Sequence, residues 1–190
     1  MLFRSRSICF FNKIVLHLDH ITGTGLLKQR VDGLKSVIAR ASGANADILI
    51  ESGDRIVFGN RFLKACATPG HTSGCMSFVS DDKSFVLTGD TLLVQGCGRT
   101  DFQGGSAKTL YESVHSQLFT LPNECIVYPA HDYKGRRSTT ISVEKETNPR
   151  LSKPLEEFVD IMANLGLSYP AKIDLAVPAN MRCGFPDMMV

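Results

Sequence analysis

Four short stretches hold most of the side chains in this sequence that could bind a ligand: His17-Leu18-Asp19-His20, Thr68-Pro69-Gly70-His71-Thr72, Thr88-Gly89-Asp90 and Tyr128-Pro129-Ala130-His131-Asp132. Each follows an apolar, β-like run, so a fold that respects the pattern must end several strands where loops on a rigid sheet edge present side chains outward. Neutral imidazole nitrogen and hard carboxylate oxygen converging from separate strand ends suit a first-row divalent metal. One such histidine alone is more often a core or capping residue, but four in this arrangement favour a shared site. The fifth histidine, His115, lies inside a helical pattern, where a solvated or half-buried position is its economical reading.

Between these stretches the punctuation predicts a meander of short strands over 56–58, 62–67, 75–79 and 84–87, with Gly59-Asn60 and Asp81-Asp82 as turns. Upstream, a Thr/Gly turn at 21–25 opens a short helix over 26–30, followed by a strand over 35–39. Ser106 is an N-cap for a helix that places Leu110, Val114 and Leu118 on one face, and 125–129 is a further strand. A last helix is expected over 155–165, with Glu156 and Glu157 in its first turn and Gly166 as its stop. The first 18 residues contain Arg4, Arg6 and Lys13 and no acid, a bias shared by mitochondrial transit peptides, although a strand over 14–18 behind a basic terminus accounts for them equally.

The balance of 21 Lys and Arg against 19 Asp and Glu supplies no field for nucleic acid or an anionic membrane, and no apolar run approaches the length of a membrane span. A small-molecule partner is expected. The six cysteines are scattered without a CxxC pair, and they read as reduced thiols of the cytosol or an organelle matrix.

The order D-H, TPGHTSG, TGD, AH resembles the metallo-β-lactamase superfamily, and TGDTLLVQGCGRTDFQGGS, FTLP, YPAHDYKG, NPRL and VPANMRCG resemble its persulfide dioxygenase (ETHE1) family in plant-like form. The resemblance runs from about Asp19 to Gly184. It implies an α+β fold, a metallo-β-lactamase-like αββα sandwich of two face-to-face sheets with helices outside. It further implies one Fe(II) per chain, held by two His and one Asp, with His71 and Asp90 as two of the three ligands and His20 and His131 lining the same pocket. Arg99 corresponds to the family's substrate arginine, whose planar fork suits a glutathione carboxylate. The substrates so implied are glutathione persulfide and O2, the product is sulfite, and the compartment is the mitochondrial matrix.

One departure from the family text is specific to this chain. The pattern H-x-H-x-D-H reads here as Val15-Leu16-His17-Leu18-Asp19-His20, so Val15, which has no lone pair, stands at the first ligand position. On paper His17 could substitute from the same strand face, or Asp19, His20, Asp90 and His131 could hold a metal as the second site of dinuclear relatives does. The motif also arrives early, with room for one strand before it, so residues 1–18 read as an altered N-terminus and 19–190 as the domain, with the first sheet incomplete. Uncovered apolar surface and a bare strand edge then favour low stability or pairing, a homodimer included. Two other functions stay open. One is a glyoxalase II-like hydroxyacylglutathione hydrolase, from which TDF after Arg99, the AHDYKG tract and a short C-terminal tail ending near Cys183, where the hydrolases carry a longer helical extension, set this sequence apart. The other is a non-catalytic, metal-poor family member.

Overall fold

Hairpin punctuation sets the larger sheet. The computed structural model describes residues 2–4, 9–10, 21–132 and 134–185. It begins with β1 (Leu2–Arg4), β2 (Cys9–Phe10), α1 (Thr24–Arg30), β3 (Lys35–Ala39) and β4 (Ile48–Ile50). The meander follows as β5 (Arg55–Phe58), β6 (Arg61–Ala67), β7 (Met76–Ser80) and β8 (Phe85–Gly89). Next come α2 (Ala107–Ser113), continued by a π-turn over Val114–Leu118, then β9 (Ile126–Pro129), β10 (Thr139–Thr140), α3 (Ile141–Thr147), α4 (Leu155–Ala163) and α5 (Ile173–Met181).

Seven strands form one sheet in the order β1-β5-β6-β7-β8-β9-β10, and β2-β3-β4 form a second. Strands β5 to β8 pair antiparallel in sequence, whereas β9 returns beside β8 in parallel after the crossover through α2. Every residue of β7 is buried, as befits a central strand covered on both faces. Alternation along β6 sends Leu63 and Ala65 to one face and Cys66 to the other. The first face packs with Ile56, Met76 and Phe78 against Val37, Ala39 and Ile50 of the small sheet, so the two sheets stand face to face. On the second face Val79, Val86 and Val127 lie under Leu110, Val114 and Phe158 of the helices. Met181 of α5 covers Ile38 and Leu49 on the outer side of the small sheet. Helix, sheet, sheet, helix is the αββα layering expected.

The structure corrects the reading in three places. Among the described residues two strands rather than one precede residue 15, and they join different sheets, because two or three residues suffice to extend an edge in parallel. The helix over 155–165 ends at Ala163 and is not the last, since α5 follows with Pro178 inside it and Leu175 exposed, a pattern without a clear apolar stripe. Helix α3, which begins at the Thr140 cap with a buried Glu144 in its first turn, and strand β4 were both missed. The strand expected over 14–18 lies outside the described residues, as do Val15, His17, Asp19 and His20.

One carboxylate fastens the small sheet to α1. Asp47 Oδ2 accepts from the Ser36 amide and hydroxyl, both at 2.7 Å, and from Lys28 Nζ at 2.6 Å. Burial works against its charge, but the Lys28 and Ser36 hydrogen bonds outweigh burial and hold the carboxyl well below the usual carboxylate range. A lowered folded-state pKa stabilises above the unfolded value near 3.9 and loses that contribution as pH falls through the folded value. Asp47→Asn should therefore cost about 1 kcal/mol at pH 7 once partial exposure is allowed for. In urea melts across pH, the gap between parent and variant should close below about pH 4.

Candidate metal centre

Because β6 and β8 both run antiparallel to β7, and β9 runs parallel to β8, the C-terminal ends of β6, β8 and β9 share one edge of the sheet. The loops leaving those ends carry His71, Asp90 and His131. The Ala130 amide donates to Gly89 O at 3.0 Å, which sets Asp90 and His131 side by side. Asp90 Oδ1 is 3.0 Å from His131 Nε2, and its Oδ2 is 3.6 Å from His71 Nε2. One buried carboxylate thus spans two imidazoles.

The loops are fixed by close packing. Gly70 has φ 137°, and a Cβ built there would lie 2.3 Å from the Leu110 backbone, so α2 can sit directly on the loop only over glycine. The Ser106 amide donates to Gly70 O at 2.8 Å and the Ser113 hydroxyl to Pro69 O at 2.7 Å. Beneath them the buried Thr68 hydroxyl pairs with Ser77 at 2.9 Å and Thr91 at 3.1 Å. Gly98 lets the following loop cross over both candidate ligands, since a Cβ there would lie 2.6 Å from Asp90 O and 2.8 Å from the His71 ring.

His71 Nδ1 lies 2.5 Å from the Arg99 carbonyl oxygen. A carbonyl only accepts, so Nδ1 carries the proton and the Nε2 lone pair faces Asp90, the arrangement that metal-binding imidazoles adopt. Imidazole nitrogen with carboxylate oxygen fits a first-row metal such as iron. Among the described residues no three His, Cys, Asp or Glu side chains converge to hold an ion by themselves. His71 and Asp90 would form two corners of such a site, and the stretch from Val15 to His20, where the family pattern puts a third, is outside the described residues.

A cavity of about 490 Å³ opens above these side chains. Residues of the 93–99 loop form one wall, Leu167 and Ser168 another, and Lys134, Arg136 and Arg150 supply cationic groups that sequence reasoning did not single out. Arg99 lines the cavity too, but its fork is engaged: Nε and Nη2 bind the two Asp101 oxygens at 2.7 Å each, and Nη1 donates to Ser168 O at 2.9 Å. Arg136 pairs with Asp132 at 2.7 Å, and the Arg136 guanidinium together with its backbone amide holds the Asp132 carboxyl down to about 2. Arg150 Nη1 donates to Cys97 O at 3.4 Å and its guanidinium faces the Cys97 thiol, and no carboxylate pairs with it or with Lys134 among the described residues. A signal for Arg150 was available in the NPRL text, because Asn148 Oδ1 accepts from the amides of Arg150 and Leu151 and turns the chain there.

The remaining candidates lie apart from this chemistry. His115 stacks on Tyr111 at 3.9 Å between ring centres and bonds Leu151 O at 3.0 Å, and burial lowers its pKa. Cys97 touches the cavity, yet burial pushes its thiol up to about 11, which keeps it protonated and unreactive at neutral pH. Cys66, Cys75, Cys97, Cys125 and Cys183 are free thiols.

Residues 32–131 match the metallo-beta-lactamase superfamily. The chain is 59% identical over 168 residues to the human mitochondrial persulfide dioxygenase ETHE1, a match that takes in 88% of this chain and 66% of the relative. It is 31% identical over 166 residues to a hydroxyacylglutathione hydrolase of Brucella ovis, covering 86% of this chain and 63% of that one. The chain therefore spans just under two thirds of the length of these curated relatives. Among solved structures, ETHE1 from Myxococcus xanthus superposes with a TM-score of 0.85 at 47% identity, over 90% of this chain and 75% of the other. A metallo-beta-lactamase from Staphylococcus aureus shares the fold at a TM-score of 0.79 and 22% identity, over 92% of this chain and 59% of the other. Among the described residues no helix is long and apolar enough to cross a membrane.

The passage of Gly98 over both donors gives a direct test. Gly98→Ala should displace the His71 ring or the Asp90 backbone and lower iron affinity by about tenfold or more, measured as metal retained on dialysis against a graded chelator.

Proposed function

The chain belongs to the metallo-β-lactamase superfamily and, within it, to the ETHE1 persulfide dioxygenase family, and on that premise we propose that it oxidises glutathione persulfide to sulfite in the mitochondrial matrix. The overall change consumes one O2 and one water, oxidises the outer sulfur and releases glutathione. The observation that carries this reading is the meeting of His71, Asp90 and His131 at the floor of a cavity with a cationic wall. Iron(II), when bound, supplies the redox chemistry that no side chain can perform.

The residues of the chain do the rest. His71, with Nδ1 committed to the Arg99 carbonyl, offers Nε2 to the metal, and Asp90 offers carboxylate oxygen. His131 Nε2 lies 3.0 Å from the other oxygen of Asp90, beside the same carboxylate. Glutathione carries two carboxylates, and the charges of Lys134 and Arg150, which pair with no carboxylate among the described residues, suit them, with Arg99 available once its fork exchanges Asp101 or Ser168 for substrate. The hydrolase reading is weaker, with 31% identity to the hydrolase against 59% to the dioxygenase.

Val15 bears on how well the site is filled. With valine at the family's first ligand position, we expect the unmodified chain to hold iron weakly and to turn over slowly, because two donors grip a metal far less than three. The test compares iron content and oxygen uptake with glutathione persulfide for this chain and for Val15→His, which should raise iron affinity by about tenfold or more. Full iron occupancy with rapid turnover in the unmodified chain would overturn the expectation. Hydrolysis of a glutathione thioester without oxygen uptake would overturn the dioxygenase reading itself. In the Val15→His background, Arg99→Ala should weaken persulfide use while bound iron stays unchanged, since the contact to His71 comes from the Arg99 backbone.

A further inference from the structure

The wall loop over 94–99 is held almost group by group from outside itself. Val94 O accepts from Arg136 Nη2 at 2.9 Å, and the Gln95 amide donates to both Glu144 oxygens, at 3.1 and 3.0 Å. Gly96 O accepts from Asn148 Nδ2 at 3.1 Å, the Gly98 amide donates to Asp90 O at 2.7 Å, and the Arg99 carbonyl meets His71. Between Leu93 and Gly96 the chain makes a tight turn with Gln95 at φ 57°, a left-handed conformation that costs a residue bearing a side chain.

Glu144 is at the centre of this tether. It projects from the first turn of α3, is wholly buried, and also accepts from Asn148 Nδ2 at 2.7 Å and Gln95 Nε2 at 3.4 Å. A buried carboxylate persists only where donors satisfy its oxygens, and here the donors come from the turn and from its own helix. Glutamine would not serve as well. Its amide would face the Gln95 or Asn148 donors with a third donor, and Asn148 cannot turn round without taking Oδ1 away from the amides of Arg150 and Leu151.

We propose that Glu144 is a positioning residue that fixes the 94–96 turn, and with it the cavity wall that receives the glutathione moiety. The proposal rests on the reading of the site as one for glutathione persulfide. The other end of the loop is anchored separately by Asp90 and His71, so metal binding and wall position respond to different residues. Loss of Glu144 loosens the wall for the organic part of the substrate and leaves the His71 tautomer in place.

The test titrates glutathione calorimetrically into the unmodified chain, into Glu144→Gln and into Phe158→Leu, a core change outside the cavity, with iron content and Tm measured in parallel. Glu144→Gln should bind glutathione about tenfold more weakly at unchanged iron content. Phe158→Leu, at a comparable fall in Tm, should stay within about twofold of the parent. Unchanged glutathione affinity in Glu144→Gln, iron loss in step with glutathione loss, or an equal effect in Phe158→Leu would each overturn the proposal. If glutathione fails to bind the unmodified chain, the reading of the site falls and takes the proposal with it. Should Glu144→Gln not fold, hydrogen exchange on the unmodified protein decides: the Gln95 amide should be protected and become more so with glutathione. Exchange at the rate of an open loop would refute the anchor.

Discussion

The carboxylate of Asp90 is the point on which the site depends. The buried Asp90 stands with one oxygen 3.0 Å from His131 and the other 3.6 Å from His71, while its backbone carbonyl accepts from the Gly98 amide. Three loops from three strands therefore meet at one residue. Their meeting requires β6, β8 and β9 to end together, which in turn requires the meander and the parallel return of β9. Sheet order and the placing of these three side chains are here one constraint viewed at two scales.

Polar tethers extend that constraint outward. Arg99 reaches back to His71 through its carbonyl and forward to Asp101 and Ser168 through its fork. Arg136, Glu144 and Asn148 then grip the same loop from the α3 side. The wall of the cavity has no long ladder of its own, so its shape comes from side chains of later segments.

Much of this could be seen in the amino-acid text, and the parts that could not have physical reasons. The meander was legible because apolar runs alternate with Gly59-Asn60 and Asp81-Asp82, and the α2 start because Ser106 caps it, its hydroxyl accepting from the Thr109 amide. His71, Asp90 and His131 announced themselves by sitting just past such runs. Helix α5 was hidden by Pro178 and an exposed Leu175, and α3 by a buried glutamate on the face where an apolar residue would signal packing. Arg136 and Arg150 were invisible as site residues because an arginine is usually solvated, and only the tertiary fold brings the loop after β9 and the turn after α3 to the cavity. That Arg99 would be occupied by Asp101, two residues on, was within reach of local geometry but not of composition.

The parallel pairing of β8 with β9 carries a consequence for the order of assembly. A hairpin can close as soon as its second strand exists, whereas a parallel pair must wait for an entire crossover, and closing that loop costs entropy before any contact repays it. The meander brings the segments bearing His71 and Asp90 together early, while His131 and the tethers from α3 arrive only after α2 has crossed the sheet. By this ordering the part of the sheet that carries His71 and Asp90 can form before the segments that complete the cavity around them.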